Sequence, residues 1–162
     1  GVKSMNLRDG DQLVSMDVLT SELVEQLSTL NGNNVDAIDD LEDNLLEGPW
    51  VLVVSSFGLG KRVPVTQFRL QKRAGMGLKA IKFRIANDVL VGLKVLGKGE
   101  EILLVTEKGV IVRTNADKIS QQSRAATGVK LQKLDQGDHL AEVVLVPHEQ
   151  IDDENVQQMN NN

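Results

Sequence analysis

The segment VVSSFG at residues 53–58 is repeated 51 positions later as LVTEKG at residues 104–109. In each copy two apolar residues are followed by polar residues and then by a glycine, which is typical of a strand that ends in a hairpin turn with glycine at positive φ. The same offset joins identical residues further along the chain, namely Arg62 and Arg113, Arg73 and Arg124, Gly77 and Gly128, and Lys79 and Lys130. Self-similarity at a fixed period predicts a repeat architecture.

The repeated unit has a second half, which occurs three times. It reads GVK and then GDQL within residues 1–13, GVK and then GDHL within residues 128–140, and GLK and then an apolar run within residues 77–96. The order is therefore second half, insertion, first half, second half, first half, second half. We expect the chain to begin partway through a repeat and to be a piece of a longer protein.

Each half-unit is predicted to form short β-strands, because β-branched and apolar runs are bounded by glycines or charged turns. Four strands in about 51 residues is the rhythm of a propeller blade. We expect an all-β fold of propeller-like blades, each a four-stranded antiparallel sheet, in a fragment of a larger disc. The predicted segments are the second half of a preceding blade at 1–19, an acidic insertion at 20–48, a blade at 49–96, a last blade at 97–146 and a disordered tail at 147–162.

The charged residues are segregated along the chain. The net charge is −5 over the 162 residues, but residues 1–48 carry −9, residues 49–134 carry +11 and residues 135–162 carry −7. A unit with a charge of +11 attracts polyanions, of which DNA is the commonest. The acidic insertion is expected to be solvated or to form short helices, and one hypothesis is that it competes with DNA for the basic surface.

Several classes of site are excluded by composition and spacing. The chain has no cysteine and no tyrosine, which excludes thiolate metal sites, disulfides and a tyrosine nucleophile. It has no apolar run long enough to span a membrane and no phosphate-binding loop for ATP. Residues 36–47 have the length of a calcium loop, but Ile38 and Leu41 stand where a ligand and a glycine are needed. We expect no catalytic residue, no metal site and no cofactor in this chain.

Particular motifs carry a resemblance to a known family. They are GKRVPV at 60–65, FRL at 68–70, QKRAGMG at 71–77, IVRT at 111–114 and RAATGV at 124–129. In this order and spacing they resemble the late blades of the C-terminal domain of DNA gyrase A subunits. The family's box reads QRRGGKG, and this chain departs from it at Ala74 and Met76, as degenerate copies in late blades do.

The resemblance implies a β-pinwheel, a propeller-like disc in which neighbouring blades exchange strands. It further implies duplex DNA wrapped around a basic rim in support of ATP-dependent negative supercoiling. ATP and Mg²⁺ would be used by other regions of the holoenzyme, and the partners would be the gyrase B subunit together with the rest of the gyrase A subunit, with no membrane. The location would be the bacterial cytoplasm at the nucleoid, or a plastid or mitochondrion. Two alternatives stay open: the corresponding domain of topoisomerase IV, and a protein-interaction propeller.

The expected DNA ligands are basic residues, because cations that meet phosphates release condensed counterions without reading base sequence. Two glycines are added because they let a backbone approach a phosphate closely. Trp50 is expected in the core rather than as a base-stacking platform. The candidate DNA-binding residues are Lys61, Arg62, Arg69, Lys72, Arg73, Gly75, Gly77, Lys79, Arg113, Arg124 and Lys130.

Overall fold

The computed structural model describes residues 1–21, 24–25 and 48–146. Strands and short 3₁₀ turns make up nearly all the regular structure of residues 48–146. The 3₁₀ turns are Val65–Gln67 and Ala116–Lys118. The predictions for most of the acidic insertion and for the tail lie outside the described residues. The strands are β1 Trp50–Ser55, β2 Leu59–Pro64, β3 Leu90–Leu96, β4 Glu101–Thr106, β5 Ile111–Asn115, β6 Val129–Lys130 and β7 Leu140–Val146.

These strands form two antiparallel sheets, one in the order β3-β1-β2-β6 and the other in the order β5-β4-β7. All six residues of β1 are buried, as expected for a central strand covered on both faces. In β4 every second residue is buried, which matches the two-residue period of a strand with one covered face. The hairpin turns after β1 and β4 contain Gly58 and Gly109 at φ 80° and 84°. The all-β prediction is confirmed.

One strand crosses from one repeat to the other. β6 belongs to the second half of the second repeat, yet it pairs with β2 of the first repeat, Leu59 opposite Lys130 and Gly60 opposite Val129. The fourth strand of the first sheet is therefore supplied by the following repeat. This exchange is the pinwheel feature that the family resemblance implied.

Two apolar clusters lie on opposite faces of β1. Leu52 and Val54 pack with residues of β4, including Ile102, in the cluster between the two sheets. Val51 and Val53 pack on the other face in a second cluster, which includes residues outside the strands. Burying each such side chain contributes about 1.5–3 kcal/mol to folding. Trp50 is only 2 % exposed, so its predicted place in the core is confirmed.

An aspartate ties the two halves of each repeat together. Asp88 accepts hydrogen bonds from the Ser55 and Ser56 hydroxyls, at 2.8 and 2.9 Å, and from the backbone N–H of Phe57. Asp138 occupies the equivalent turn of the second repeat and accepts from the backbone N–H of Lys108 at 3.2 Å. Both carboxylates are nearly inaccessible to solvent. Because buried carboxylates need hydrogen-bond donors, each of them holds the hydroxyl and N–H groups of its hairpin turn in place.

The N-terminal segment lies beside β3. The Ser15 hydroxyl donates to the carbonyl oxygen of Leu93 at 3.0 Å, and the backbone N–H of Val95 donates to the Asp17 carboxylate at 2.8 Å. Leu19 packs against the second apolar cluster. Residues 1–19 are therefore fixed against the first repeat, and this placement builds part of the surface described next.

Candidate nucleic-acid interface

Residues 71–77 (QKRAGMG) form an exposed turn, the first basic loop. Residues 69–77 line an open cleft of about 420 Å³. The loop closes at Gly77, whose φ of 78° is in the left-handed region that glycine adopts without strain. Three cationic side chains are exposed along this short stretch, and they are Arg69, Lys72 and Arg73.

The preceding repeat holds the first basic loop in place. The backbone N–H of Ala74 donates to the carbonyl oxygen of Ser4 at 2.8 Å. The backbone N–H of Asn6 donates to the carbonyl oxygen of Gly75, also at 2.8 Å. The Asn6 side-chain amide adds a bond to the carbonyl oxygen of Ala74 at 2.5 Å. A second cleft of about 360 Å³ lies between the N-terminal segment and the loop. The loop is thus a composite of two repeats rather than a free hairpin.

Residues 122–128 (QSRAATG) form the second basic loop, 51 positions after the first. The same contact recurs, because the backbone N–H of Lys82 donates to the carbonyl oxygen of Ala126 at 3.2 Å. By alignment Lys82 corresponds to Asn6, and Ala126 to Gly75. The Arg124 guanidinium donates to the carbonyl oxygen of Lys79 at 3.3 Å. Each basic loop is therefore clasped by the second half of the repeat before it.

Most of the predicted ligands are placed where an anion can approach. The predicted glycines, Gly75 and Gly77, lie in the first basic loop, with Gly75 partly covered and Gly77 exposed. Arg124 in the second loop is half-buried, with its guanidinium 5.9 Å from the centre of the Phe68 ring. The predicted cations that the structure leaves exposed around these loops and on the exchanged strand are Arg69, Lys72, Arg73, Lys79 and Lys130.

Lys61 does not lie on this surface, so the structure does not support the prediction that it binds phosphate. Its relative exposure is 0 %, and its ammonium donates to the carbonyl oxygens of Ser123, Arg124 and Ala126 at 2.6, 2.7 and 2.7 Å. Desolvation and the nearby Arg124 charge lower the pKa of Lys61 to about 8. The ammonium still carries its proton at neutral pH, and all three of its donors are occupied.

Arg62 is largely covered by tertiary contacts, so the structure does not support its predicted role as a DNA ligand. Its guanidinium lies 4.5 Å from the centre of the Trp50 ring and donates to the carbonyl oxygen of Ile119 at 2.9 Å. It also forms a 3.1 Å ion pair with Asp117, and only 11 % of its side chain is exposed. Arg62 therefore joins the first repeat to the turn after β5.

Arg113, the equivalent of Arg62 in the second repeat, is 61 % exposed but paired with Glu101 on the adjacent strand. A side-chain hydrogen bond to Glu101 and the charge of that carboxylate raise the pKa of Arg113. A phosphate would have to compete with this carboxylate. The repeated Arg62 and Arg113 therefore both form ion pairs with carboxylates, those of Asp117 and Glu101.

The chain is similar to known proteins in both sequence and fold. The sequence profile of the family described as DNA gyrase C-terminal domain, beta-propeller, matches residues 1–20, 49–96 and 100–147. The chain belongs to this family. The DNA gyrase A subunit of Synechocystis is 48% identical over 155 residues, which cover 91% of the chain and 18% of that protein. The DNA gyrase A subunit of Staphylococcus epidermidis is 35% identical over 149 residues, which cover 92% of the chain and 14% of that protein. The chain therefore spans less than a fifth of the length of these gyrase subunits.

Solved structures share the fold. A DNA gyrase A C-terminal domain is 31% identical, with a TM-score of 0.57 over 61% of this chain and 34% of that one. A topoisomerase IV C-terminal domain aligns with a TM-score of 0.55 over 61% of this chain and 30% of that one, at 23% identity, and it bears on the fold alone. The gyrase C-terminal domain fold that the motifs predicted is confirmed.

In this gyrase-family domain, sequence reasoning missed basic residues that the inter-repeat clasp brings to the loops. Lys82 is exposed next to the second basic loop, and Lys3 is exposed one residue before the Ser4 clasp of the first loop. Arg84 is exposed two residues after Lys82. The aligned glycines at 1, 77 and 128 could have flagged Lys3 and Lys79 as equivalents, but no local signal shows which loop each segment contacts.

Residues 1–21, 24–25 and 48–146 give no support to a metal site or a membrane span. Within them, no group of three or more His, Asp or Glu residues could hold a metal ion. His139 lies 3.5 Å from Glu107 and packs edge-on against Phe57 at 5.0 Å, which is a turn contact. Nor does that part of the chain contain a helix long and apolar enough to cross a membrane. The rejected calcium loop lies outside the described residues.

Proposed function

We propose that this chain binds duplex DNA without sequence preference and contributes to its wrapping by the C-terminal domain of a gyrase A subunit. The observation that carries the proposal is the recurrence of the basic loop. Two loops 51 residues apart have equivalent inter-repeat clasps and cationic side chains beside them. A protein that binds DNA regardless of sequence is expected to repeat backbone contacts along its surface rather than to read bases.

The charge distribution supports the same proposal. The net charge of +11 lies in residues 49–134, which contain both loops. Five of the predicted cations, including Arg73 and Lys79, are exposed around the two loops and on β6. Cations in such an arrangement gain affinity from counterion release, a contribution that depends on salt and not on base sequence.

The wider context is part of the proposal. The partners would be the gyrase B subunit together with the rest of the gyrase A subunit. They would supply DNA cleavage and the use of ATP and Mg²⁺ for negative supercoiling. The location would be the bacterial cytoplasm at the nucleoid, or a plastid or mitochondrion. The full-length gyrase A subunits that resemble this chain at 48% and 35% identity support this assignment.

Duplex binding as a function of salt tests the proposal. Suppose six phosphates are contacted; the slope of log K against log salt should then be about −5. Two duplexes of unrelated sequence should give the same slope and similar affinities. Reversing two loop charges, Arg73→Glu and Arg124→Glu, should weaken binding, whereas Lys98→Glu in the turn between β3 and β4 serves as the control.

The opposite result would be a flat salt dependence or no binding by the folded chain. That outcome would reject the proposal and favour a protein-interaction propeller. A strong preference for one of the two duplexes would reject only the lack of sequence preference and would leave DNA binding in place. The topoisomerase IV alternative predicts salt-dependent binding without DNA wrapping, so the linking-number change of nicked circles ligated on the full-length protein separates the two.

A further inference from the structure

We propose that Lys61 is the positioning residue of the second basic loop, holding the loop's carbonyl groups inward so that its outer face can accept a phosphate. This inference rests on the proposed DNA-binding function. Lys61 was predicted as a phosphate ligand, and the structure gives it a different task in the same interface. It acts on the loop of the following repeat, 62 residues or more away in sequence.

The contact geometry carries the first step. The three carbonyl oxygens that Lys61 binds belong to Ser123, Arg124 and Ala126, within four consecutive residues. Bonds to a cation are stronger than those between neutral groups. One buried ammonium therefore fixes the direction of three peptide groups in a short loop.

The second step concerns the electrostatics of the loop. A carbonyl oxygen turned outward would repel a phosphate, whereas these three point at the Lys61 ammonium. The ammonium is also close enough to Arg124 to lower the pKa of Lys61. The loop is therefore held with its negative ends inside and with the Arg124 guanidinium at its surface.

The third step is that a lysine at this position is not a general requirement of the repeat. Residue 112, which aligns with Lys61 one repeat later, is a valine. Neighbouring contacts fix the same loop, because the Gln122 side chain accepts from the backbone N–H of Gly128 at 3.0 Å. Without the ammonium, the carbonyl oxygen of Arg124 would lose its partner. Those of Ser123 and Ala126 would keep only the backbone N–H groups of Ala126 and Lys82, so the loop would be held less firmly and would open more often to water.

Hydrogen exchange measured residue by residue on the full 162-residue chain tests the hold directly, without DNA. Lys61→Met keeps the length and the apolar stem of the side chain but removes the ammonium. Amide exchange at residues 122–128 should become faster by about tenfold or more, and the amide NMR signals should shift most in this loop. Val63→Ala, on the same strand and fully buried in the other cluster, controls for general loss of stability and should leave the loop protected.

DNA binding tests the functional consequence. Lys61→Met should weaken duplex affinity and reduce the salt slope by about 1, as loss of one phosphate contact does. In a background of Arg124→Gln the same change should have little further effect, because the loop's guanidinium is already gone. If Lys61→Met does not fold, Lys61→Gln keeps two donors and should give an intermediate increase in exchange.

The outcomes separate the two proposals. The role of Lys61 would be overturned if amide exchange at residues 122–128 were unchanged in Lys61→Met. It would also be overturned if Lys61→Met lost as much DNA affinity in the Arg124→Gln background as in the wild type. A wild-type chain that is folded but does not bind duplex DNA would overturn the proposed function, while the exchange data still decide whether Lys61 orders the loop.

Discussion

Gly60 and Gly128 cross at a distance that leaves no room for a side chain. A Cβ atom added to Gly128 would lie 2.8 Å from the carbonyl oxygen of Gly60, and Gly128 has a φ of +95°. The crossing lies where β6 of the second repeat joins β2 of the first. The strand exchange between repeats therefore depends on two glycines from different repeats.

Gly128→Ala should destabilise the chain strongly, by about 2–5 kcal/mol, because left-handed strain and a backbone clash act together. The matched control is Gly99→Ala, which has a φ of +80° but open space around the added Cβ. It should cost about 1–2 kcal/mol from backbone strain alone. Urea unfolding followed by the fluorescence of Trp50, the chain's one tryptophan, measures both. Equal losses in the two variants would contradict the importance of the crossing.

Arg62→Gln should reduce stability rather than DNA binding. It removes the contact with Trp50 and the ion pair with Asp117, and it should cost about 1–3 kcal/mol. The salt slope for duplex DNA should stay unchanged at a temperature where the variant is folded. Arg73→Gln, at an exposed position, should show the reverse pattern. A reduced salt slope in folded Arg62→Gln would restore the phosphate role that the sequence predicted.

The repeat predicted the fold because glycines, strand-forming residues and aspartates recur at fixed spacing. It did not predict β2 as a strand, since GKRVP contains two cations and a proline, which are typical of exposed loops. Local spacing also carries no information about which repeat supplies the fourth strand. The burial of Lys61 could not be predicted for the same reason, because the loop that covers it belongs to the following repeat.

The candidate site was predictable where a cation is exposed in or directly before its own loop, as at Arg69, Lys72 and Arg73. It was not predictable where a residue distant in sequence determines whether the cation is free or paired. Glu101 engages Arg113, and neither residue's neighbours in sequence indicate the pairing, which requires β4 beside β5.

Lys82→Gln should weaken duplex binding, although sequence motifs did not single out this residue. Lys82 lies against the second basic loop through its backbone and has an exposed side chain. Loss of one phosphate contact should reduce the salt slope by about 1, with no change in sequence preference. Lys98→Gln, an exposed lysine in the turn between β3 and β4, should leave the slope as it is. Equal effects of both changes would mean that net charge rather than the clasped surface governs affinity.

Asp138 should make the fold sensitive to acid. Burial by itself would raise the pKa of Asp138, but hydrogen bonds from the Thr106 hydroxyl and from the backbone N–H groups of Lys108 and His139, with the charge of Lys108, lower it below its ordinary value of 3.8. The folded carboxylate therefore binds its proton less readily than the unfolded one. Its stabilising contribution is complete above the unfolded pKa and is lost as the pH falls through the lower, folded pKa.

Asp138→Asn removes this titration, so the variant should be less stable than the wild type near pH 6 yet lose less stability on acidification to about pH 2–3. Urea midpoints at the two pH values measure the difference. Asp135→Asn, exposed in the same turn, should keep the wild-type acid response. If Asp138→Asn loses as much stability in acid as the wild type does, another carboxylate governs the response, and the bonds that close the second hairpin turn do not depend on the charge of Asp138.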